Sequence, residues 1–544
     1  MRSAIVGRPI LALVAMLAGV AAPPLAAREV VDAAAPSDLS VTIYRDPDRA
    51  PDAPLARDNP QGFAMISETR RVTLPPGETT IRFVGVAEGM IGISAIVTGL
   101  PGGTIEKNRN TQLLSPAALV DGTLGNRVTI TRTNPATGAV TSQQAIIRTR
   151  ADGGLILQSD AGFEAVRCAG LPETLSFSRI PAGLSASPVF SVDTRSDTGG
   201  TYDVTLTYLA WGFDWQANYV ARLAQQGGAG EFGLSLLSWL TLVNDNAQSF
   251  DDARLQIVAG KLNVTSDYEG LADPPRADPL RLTCYPIGST AAGSPVGYPP
   301  PPPPPPPPPM YAPAPMMAAE AVVVTGARMR AESAVVTAAE ENLGDLKLFR
   351  VPGRVDVAAS GMKQVAFLNQ PAVKARYLYQ AGCDPAGRFD AIDAQPVPAG
   401  LLLVTKNEQR RGLGMALPQG TMTLYEPSPR GDVLAATANL RDYASGQEIE
   451  LELGQSAQVF ARCGAISADG AATAPRRWTK MRAVFSNANP HPVTMRLRVG
   501  YAGQSDIRFP GHKVVVKNGY QTAELTLPAN SERSIDWQLR PAVP

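Results

Sequence analysis

The chain of 544 residues carries 49 Lys+Arg against 49 Asp+Glu, so it is neutral overall at pH 7. That balance, without any long Lys/Arg run, argues against a nucleic-acid binder, which needs a positive footprint. A hydrophobic share of 44% is ordinary for a globular protein, and the length allows about three domains at roughly 150 residues each.

Arg2 and Arg8 flank the start of an apolar run from Ile10 to Ala22, which Pro23 and Pro24 end. Ala26 and Ala27 then offer small residues before Arg28. This layout predicts a secretory signal peptide over 1–27, cleaved near Ala26 or Ala27. The run is shorter than the about 20 residues that span a bilayer, and no cysteine follows it to suggest a lipoprotein. The mature chain is expected to be soluble and to lie in the periplasm or at the cell surface.

Residues 38–194 read as an N-terminal β-domain. Short period-two segments recur at LSVTIYR (39–45), AMISETRRVTL (64–74), TTIRFVGV (79–86), RVTITRT (127–133), QAIIRTR (144–150), GLILQS (154–159) and FEAVRC (163–168). Gly/Pro/Asn turns separate them, as in a sandwich or barrel. One short helix is predicted at 115–122, where Ser115 can cap and Pro116 suits the first turn.

The most regular stretch lies between Thr201 and Val264 and holds Trp211, Trp215 and Trp239. In a first strand Val204, Leu206 and Tyr208 share a face opposite Thr205 and Thr207. In a second, Trp215, Ala217, Tyr219, Ala221 and Leu223 alternate with Gln216, Asn218 and Arg222. Period two means one buried face and one wet face. Residues 195–289 are therefore the first part of a central and C-terminal β-sandwich region.

Residues 290–344 interrupt it. Eleven consecutive prolines, Pro299 to Pro309, cannot join helix or sheet and predict a stiff rod of roughly 34 Å at about 3.1 Å per residue. The Ala-rich stretch beyond reads as mostly disordered, with a transient helix over 331–342. The β pattern resumes over 345–544; Ala523, Leu525 and Leu527 oppose Glu524 and Thr526, and Ile535, Trp537 and Leu539 oppose Asp536 and Gln538. The predicted fold class is all-β: multiple antiparallel β-sandwich domains with a disordered proline-rich insertion.

The four cysteines are too far apart for a zinc site. Outside the cytoplasm an even number suggests disulfides. Cys383 with Cys463 is the favoured pair, since each closes a strand-like run in the same half; Cys168 with Cys284 is the remaining pair, with free thiols as the alternative.

Little else points to chemistry. His491 lies in Asn-Pro-His-Pro and His512 follows Pro510-Gly511, both turn settings without a nucleophile elbow nearby. Gly412-Leu-Gly414 reads as a turn, because Pro418 blocks the helix that a dinucleotide loop would need. Asn244, Asn246, Asp251 and Asp252 resemble a calcium loop only in composition and read as turn formers. Tyr44, Tyr208, Trp215 and Tyr219 are candidates to stack on sugars, although the alternation assigns Trp215 and Tyr219 to the core. Paired carboxylates for hydrolysis stay open, with no spacing that singles any out. No catalytic residue, metal or cofactor is predicted.

Several ordered motifs together resemble one family. They are VTIYRD and GFAMISETRRVTLPPGETTIRFVGV near the start, TYDVTLTYLAWGFDWQANYVARL and SWLTLVNDNAQSFDDARLQIVAG in the middle, and GLGMALPQGTMTLYE with LPANSERSIDWQL toward the end. The chain is similar to a bacterial secreted family that carries a domain of unknown function, grouped with mucoidy-inhibitor-A-like proteins. Members with a long coiled-coil insert differ from this chain, which shows no heptads. The resemblance implies no activity and no site residues. A smaller one concerns Ala319 to Arg330 (AEAVVVTGARMR), similar to the segment by which TonB-dependent receptors offer a strand to their coupling protein; no barrel sequence follows it.

Together these readings predict an exported non-enzymatic envelope protein, a scaffold or binding module for protein or glycan. The alternative is an envelope polysaccharide or peptide hydrolase with unidentified carboxylates.

Overall fold

The computed structural model describes residues 28–542, apart from 273–336 and shorter stretches at 111–112, 135, 151–154, 167–172, 182, 226–229, 385–386, 391–394 and 467–477. The expected signal peptide, the proline run, Ala319–Arg330, Cys168 and Cys284 all lie outside the described residues. Strands dominate throughout, with two short α-helices and one 3-10 turn among the described residues, so the fold is all-β.

The organising element is one strand of 24 residues, Gly200–Leu223. Sequence alone suggests two strands here; they are continuous. Between Trp211 and Phe213 the register shifts, and Gly212 takes φ +87°. A glycine at positive φ makes a bulge that bends a strand without reversing it. Asn246 seals the bend, donating to the Trp211 carbonyl at 3.0 Å and accepting from the Gly89 N–H at 2.6 Å.

Below the bulge the long strand pairs antiparallel with Gly62–Leu74 on one side and Met90–Thr98 on the other. Above it, the partners are Glu231–Asn244, antiparallel, and Gly420–Ser428, parallel. Pro36–Tyr44 lies antiparallel to Gly62–Leu74 and parallel to Phe250–Ala259. The sheet thus runs across residue 194, and strands from both sides of that expected boundary share it. A second sheet, with Gly77–Val84 and Val189–Ser196 at its centre, supplies Ile81, Phe83, Phe190 and Val192 to the same core as Val72, Leu74, Val204 and Leu206. Two sheets facing across an apolar layer form a sandwich.

Strands before and after 273–336 pair directly. Leu346–Arg350 joins Phe250–Ala259, and Gly361–Gly382 joins Glu231–Asn244. Ala339–Leu343, read from sequence as the end of the linker and part of a transient helix, is instead a strand antiparallel to Leu346–Arg350. Cross-strand ion pairs, Glu340 with Lys347 and Glu341 with Arg350, give this short segment a reason to add to an open edge.

A second core belongs to the C-terminal third, where Met481, Phe485, Met495, Leu497, Leu525 and Trp537 meet. Cys383 and Cys463 are disulfide-bonded at its margin, with Cα atoms 5.3 Å apart. A small five-stranded sheet spanning 127–176 has its own core around Val128, Ile130, Ile147 and Leu157; its first four strands form a meander, and Glu173–Ser176 returns to pair with Arg127–Thr133. The helix Pro116–Gly122 packs Val120 into that core and is capped as expected, Ser115 accepting from the Ala118 N–H at 3.1 Å.

Candidate binding cleft

In Gly62–Leu74 the inward face reads Ala64, Ile66, Glu68, Arg70, Val72, Leu74. Two opposite charges therefore occupy core positions, with Glu68 only 2% and Arg70 only 4% exposed. Arg70 Nη2 donates to Glu68 Oε2 at 2.9 Å, and Nη1 donates to the Val84 carbonyl at 2.8 Å. Glu68 Oε1 and Arg70 Nε have no hydrogen-bond partner. Burial pushes the Glu68 carboxyl above the ordinary range, against the pull of Arg70. The nearby Tyr208 hydroxyl is buried too and accepts from the Ala87 N–H at 3.1 Å; burial raises it, and the Glu68 charge adds to that. Removing such a pair from water is costly, and a partly satisfied network more so.

Glu68 and Arg70 help to line a cleft of about 490 Å³. Its rim comes from three chain segments. Asp38, at the start of Pro36–Tyr44, sits between Arg254 and Arg354, with Arg354 Nη2 donating at 2.8 Å. That hydrogen bond leads in holding the Asp38 carboxyl below its usual range. Ser249, Asp251 and Asp252 line the cleft where Phe250–Ala259 is irregular, its register shifting between Phe250 and Ala253. Asp252 takes φ +52°; its N–H donates to Asp356 Oδ1 at 2.9 Å and its carbonyl accepts from Arg354 at 2.8 Å. Asp251 is exposed and has no ion-pair partner among the described residues.

The supposed calcium-loop residues are therefore divided. Asn244 donates to the carbonyls of Gln248 and Ala358, and Asn246 holds the bulge, whereas Asp251 and Asp252 face the cleft. No group of three His, Cys, Asp or Glu among the described residues is placed to hold a metal ion. Tyr208, Trp215 and Tyr219 are fully buried, which removes them as sugar platforms; Tyr44 is half-buried and stacks on Phe63 at 4.8 Å. The His512 ring rests on Phe509 at 4.5 Å, and His491 lies near the Pro492 carbonyl. Gly412 is a turn with φ +86°, where a Cβ would come within 2.0 Å of the Ala372 carbonyl oxygen.

A second buried ion pair ties down the loop after Pro36–Tyr44. Arg49 pairs with Asp214 and donates to the Trp215 carbonyl at 2.5 Å, and Arg45 pairs with Asp442 at 2.7 Å. Burial pushes the Asp214 carboxyl up to about 6, opposed by Arg49.

Sequence reasoning overlooked Glu68 and Arg70. The signal was available: a glutamate and an arginine two residues apart on the apolar face of an otherwise regular strand. Compared with known proteins, the chain matches no protein-family model, no curated protein and no solved structure.

Proposed function

We propose that this chain is an exported, non-enzymatic envelope protein, a β-sandwich scaffold that holds a ligand in the cleft beside Glu68. The observation that carries the binding reading is the cleft of about 490 Å³ lined by four carboxylates and two guanidiniums, with Asp251 exposed at its rim. The Cys383–Cys463 bond supports export, because disulfides persist outside the reducing cytoplasm. The segment 1–27 and the resemblance to the secreted mucoidy-inhibitor-A-like group support the same placement.

One observation favours the hydrolase alternative. A buried carboxyl with a raised pKa in a cleft is what a general acid requires. Against it, Glu68 is tied to Arg70, and Oε1 is closed to solvent.

Two measurements test the reading. Fractionation of cells expressing the full chain, with and without residues 1–27, should place the first outside the cytoplasm and retain the second. Purified protein incubated with envelope polysaccharide and peptide should release no product. Release by the wild type that Glu68→Gln abolishes would replace this reading with the hydrolase.

A further inference from the structure

We infer a second binding site, independent of the cleft beside Glu68: the groove between residues 122–127 and the segment around Phe177 and Pro181 takes a carboxylate-bearing saccharide, a uronic acid unit of a glycan. The groove measures about 1010 Å³, at the upper end of small-ligand sites, which run to roughly 1,000 Å³. Its charged lining is two guanidiniums, Arg127 and Arg179, and no carboxylate. Both arginines are exposed, and neither has a hydrogen bond or an ion pair among the described residues. Asp121, next to the lining residue Gly122, is paired with Arg150 at 3.8 Å. The groove is therefore positive where the cleft beside Glu68 is negative, and a concave wall of one sign concentrates ions of the other. A guanidinium fork matches a carboxylate with two parallel hydrogen bonds.

The neutral groups select the kind of anion. Asn126 donates to the Leu124 carbonyl at 3.3 Å, and Asn110 donates to the Gly183 carbonyl. Each amide oxygen is left without a partner and asks for a donor. Ser178, exposed on the opposite wall, adds a hydroxyl. Polar groups on both walls suit the hydroxyls carried along a sugar, and they do not suit the alkyl tail of an anionic lipid. Phe177 and Ile180 supply apolar surface, Ile180 being 56% exposed; the C–H face of a sugar ring laid on it removes that surface from water. The walls are set before a ligand arrives. Pro181 sits against Gly122, where a Cβ would come within 2.7 Å of it, and the Leu114 N–H donates to the Ser185 carbonyl at 2.9 Å.

Calorimetric titration of the whole mature protein at low salt tests this with four probes: trigalacturonic acid, its methyl ester, maltotriose and acetyl-Glu-Glu-Glu-amide. The acidic trisaccharide should bind, and the ester and the neutral trisaccharide should not. Arg127→Gln and Arg179→Gln, at exposed positions, should keep the unfolding transition and each weaken binding about threefold to tenfold. Asp251→Asn, in the other cleft, should leave it unchanged. Equal binding of the ester would overturn the role of the carboxylate, and equal binding of the peptide would overturn the saccharide. Binding of the uronate that neither arginine substitution weakens would overturn the placement of the site. Binding of no probe would overturn the inference and leave the reading of the cleft beside Glu68 as it stands.

Discussion

At the scale of single residues, the unusual expense of this fold is charge placed inside it. Asp214 and Arg49 are both almost fully buried, and burial outweighs the guanidinium in setting the Asp214 carboxyl at about 6. A folded pKa above the unfolded value means that the native state holds the proton more tightly. The resulting stability is fully present below the unfolded value of about 3.9 and is lost as pH rises through about 6. Between those limits the wild type should lose up to about 3 kcal/mol relative to Asp214→Asn. Urea unfolding of both proteins at several pH values from 4 to 6.5 measures the difference; parallel curves would show that Asp214 is ionised throughout. Glu68 and Arg70 are placed inside by strand alternation, whereas Asp214 lies on the face opposite Phe213 and Trp215, where Arg49 and the loop after Pro36–Tyr44 cover it. Side-chain type alone would put all three in water; the phase of the alternation reveals Glu68 and Arg70 but not Asp214, whose cover comes from a distant loop.

At the scale of elements, phase carries more than direction. Buried apolar positions in Gly200–Leu223 are even-numbered from Val204 to Ala210 and odd-numbered from Phe213 to Leu223. A change of parity inside an unbroken β pattern is the mark of one extra residue, hence a bulge, and it is legible once looked for. A reversal would need turn residues on both sides, and Trp211-Gly212-Phe213 has a single glycine. The bend lets the strand serve two sets of neighbours, so its cost is concentrated at one position. A Cβ on Gly212 would lie 3.0 Å from Asn246 Nδ2 and force a side chain to φ +87°. Gly212→Ala is therefore expected to destabilise by about 1–3 kcal/mol, read as a lower denaturation midpoint with unchanged slope. A loss no larger than that of an alanine placed at solvent-facing Gly233 would remove the bulge from its assigned role. The strand Ala339–Leu343 was illegible for the opposite reason. Its residues carry no alternation, and it forms because Leu346–Arg350 presents an edge with matching charges.

At the scale of the whole molecule, sequence periodicity yields strands but not their neighbours. The parallel pairing of Pro36–Tyr44 with Phe250–Ala259 joins segments more than two hundred residues apart, and no local pattern encodes it. The all-β class and the turn-rich meander were legible because each depends on short-range alternation; the cleft was not, because Asp38, Glu68, Asp251 and Arg354 meet only when those distant strands pair. Long-range architecture of this kind gains from a covalent tie, and the disulfide offers a test of where. Cys383 follows Gly361–Gly382, whose last residues run parallel to Val493–Tyr501. Cys463 lies opposite Ala483 in the ladder between Glu448–Ala465 and Thr479–Asn487. The bond therefore ties the end of Gly361–Gly382 to the Glu448–Ala465 ladder at the margin of the C-terminal core. It closes a sequence separation of 80 residues, and loops of that size give about 2–4 kcal/mol in practice. Replacing both cysteines by alanine should lower amide-exchange protection in Val493–Tyr501 and Ser531–Pro541 by that amount and leave Gly62–Leu74 protected as before, because the N-terminal core shares none of the cross-linked residues. A uniform loss across both cores would mean that the chain opens as one cooperative unit, with the bond stabilising all of it rather than its C-terminal third.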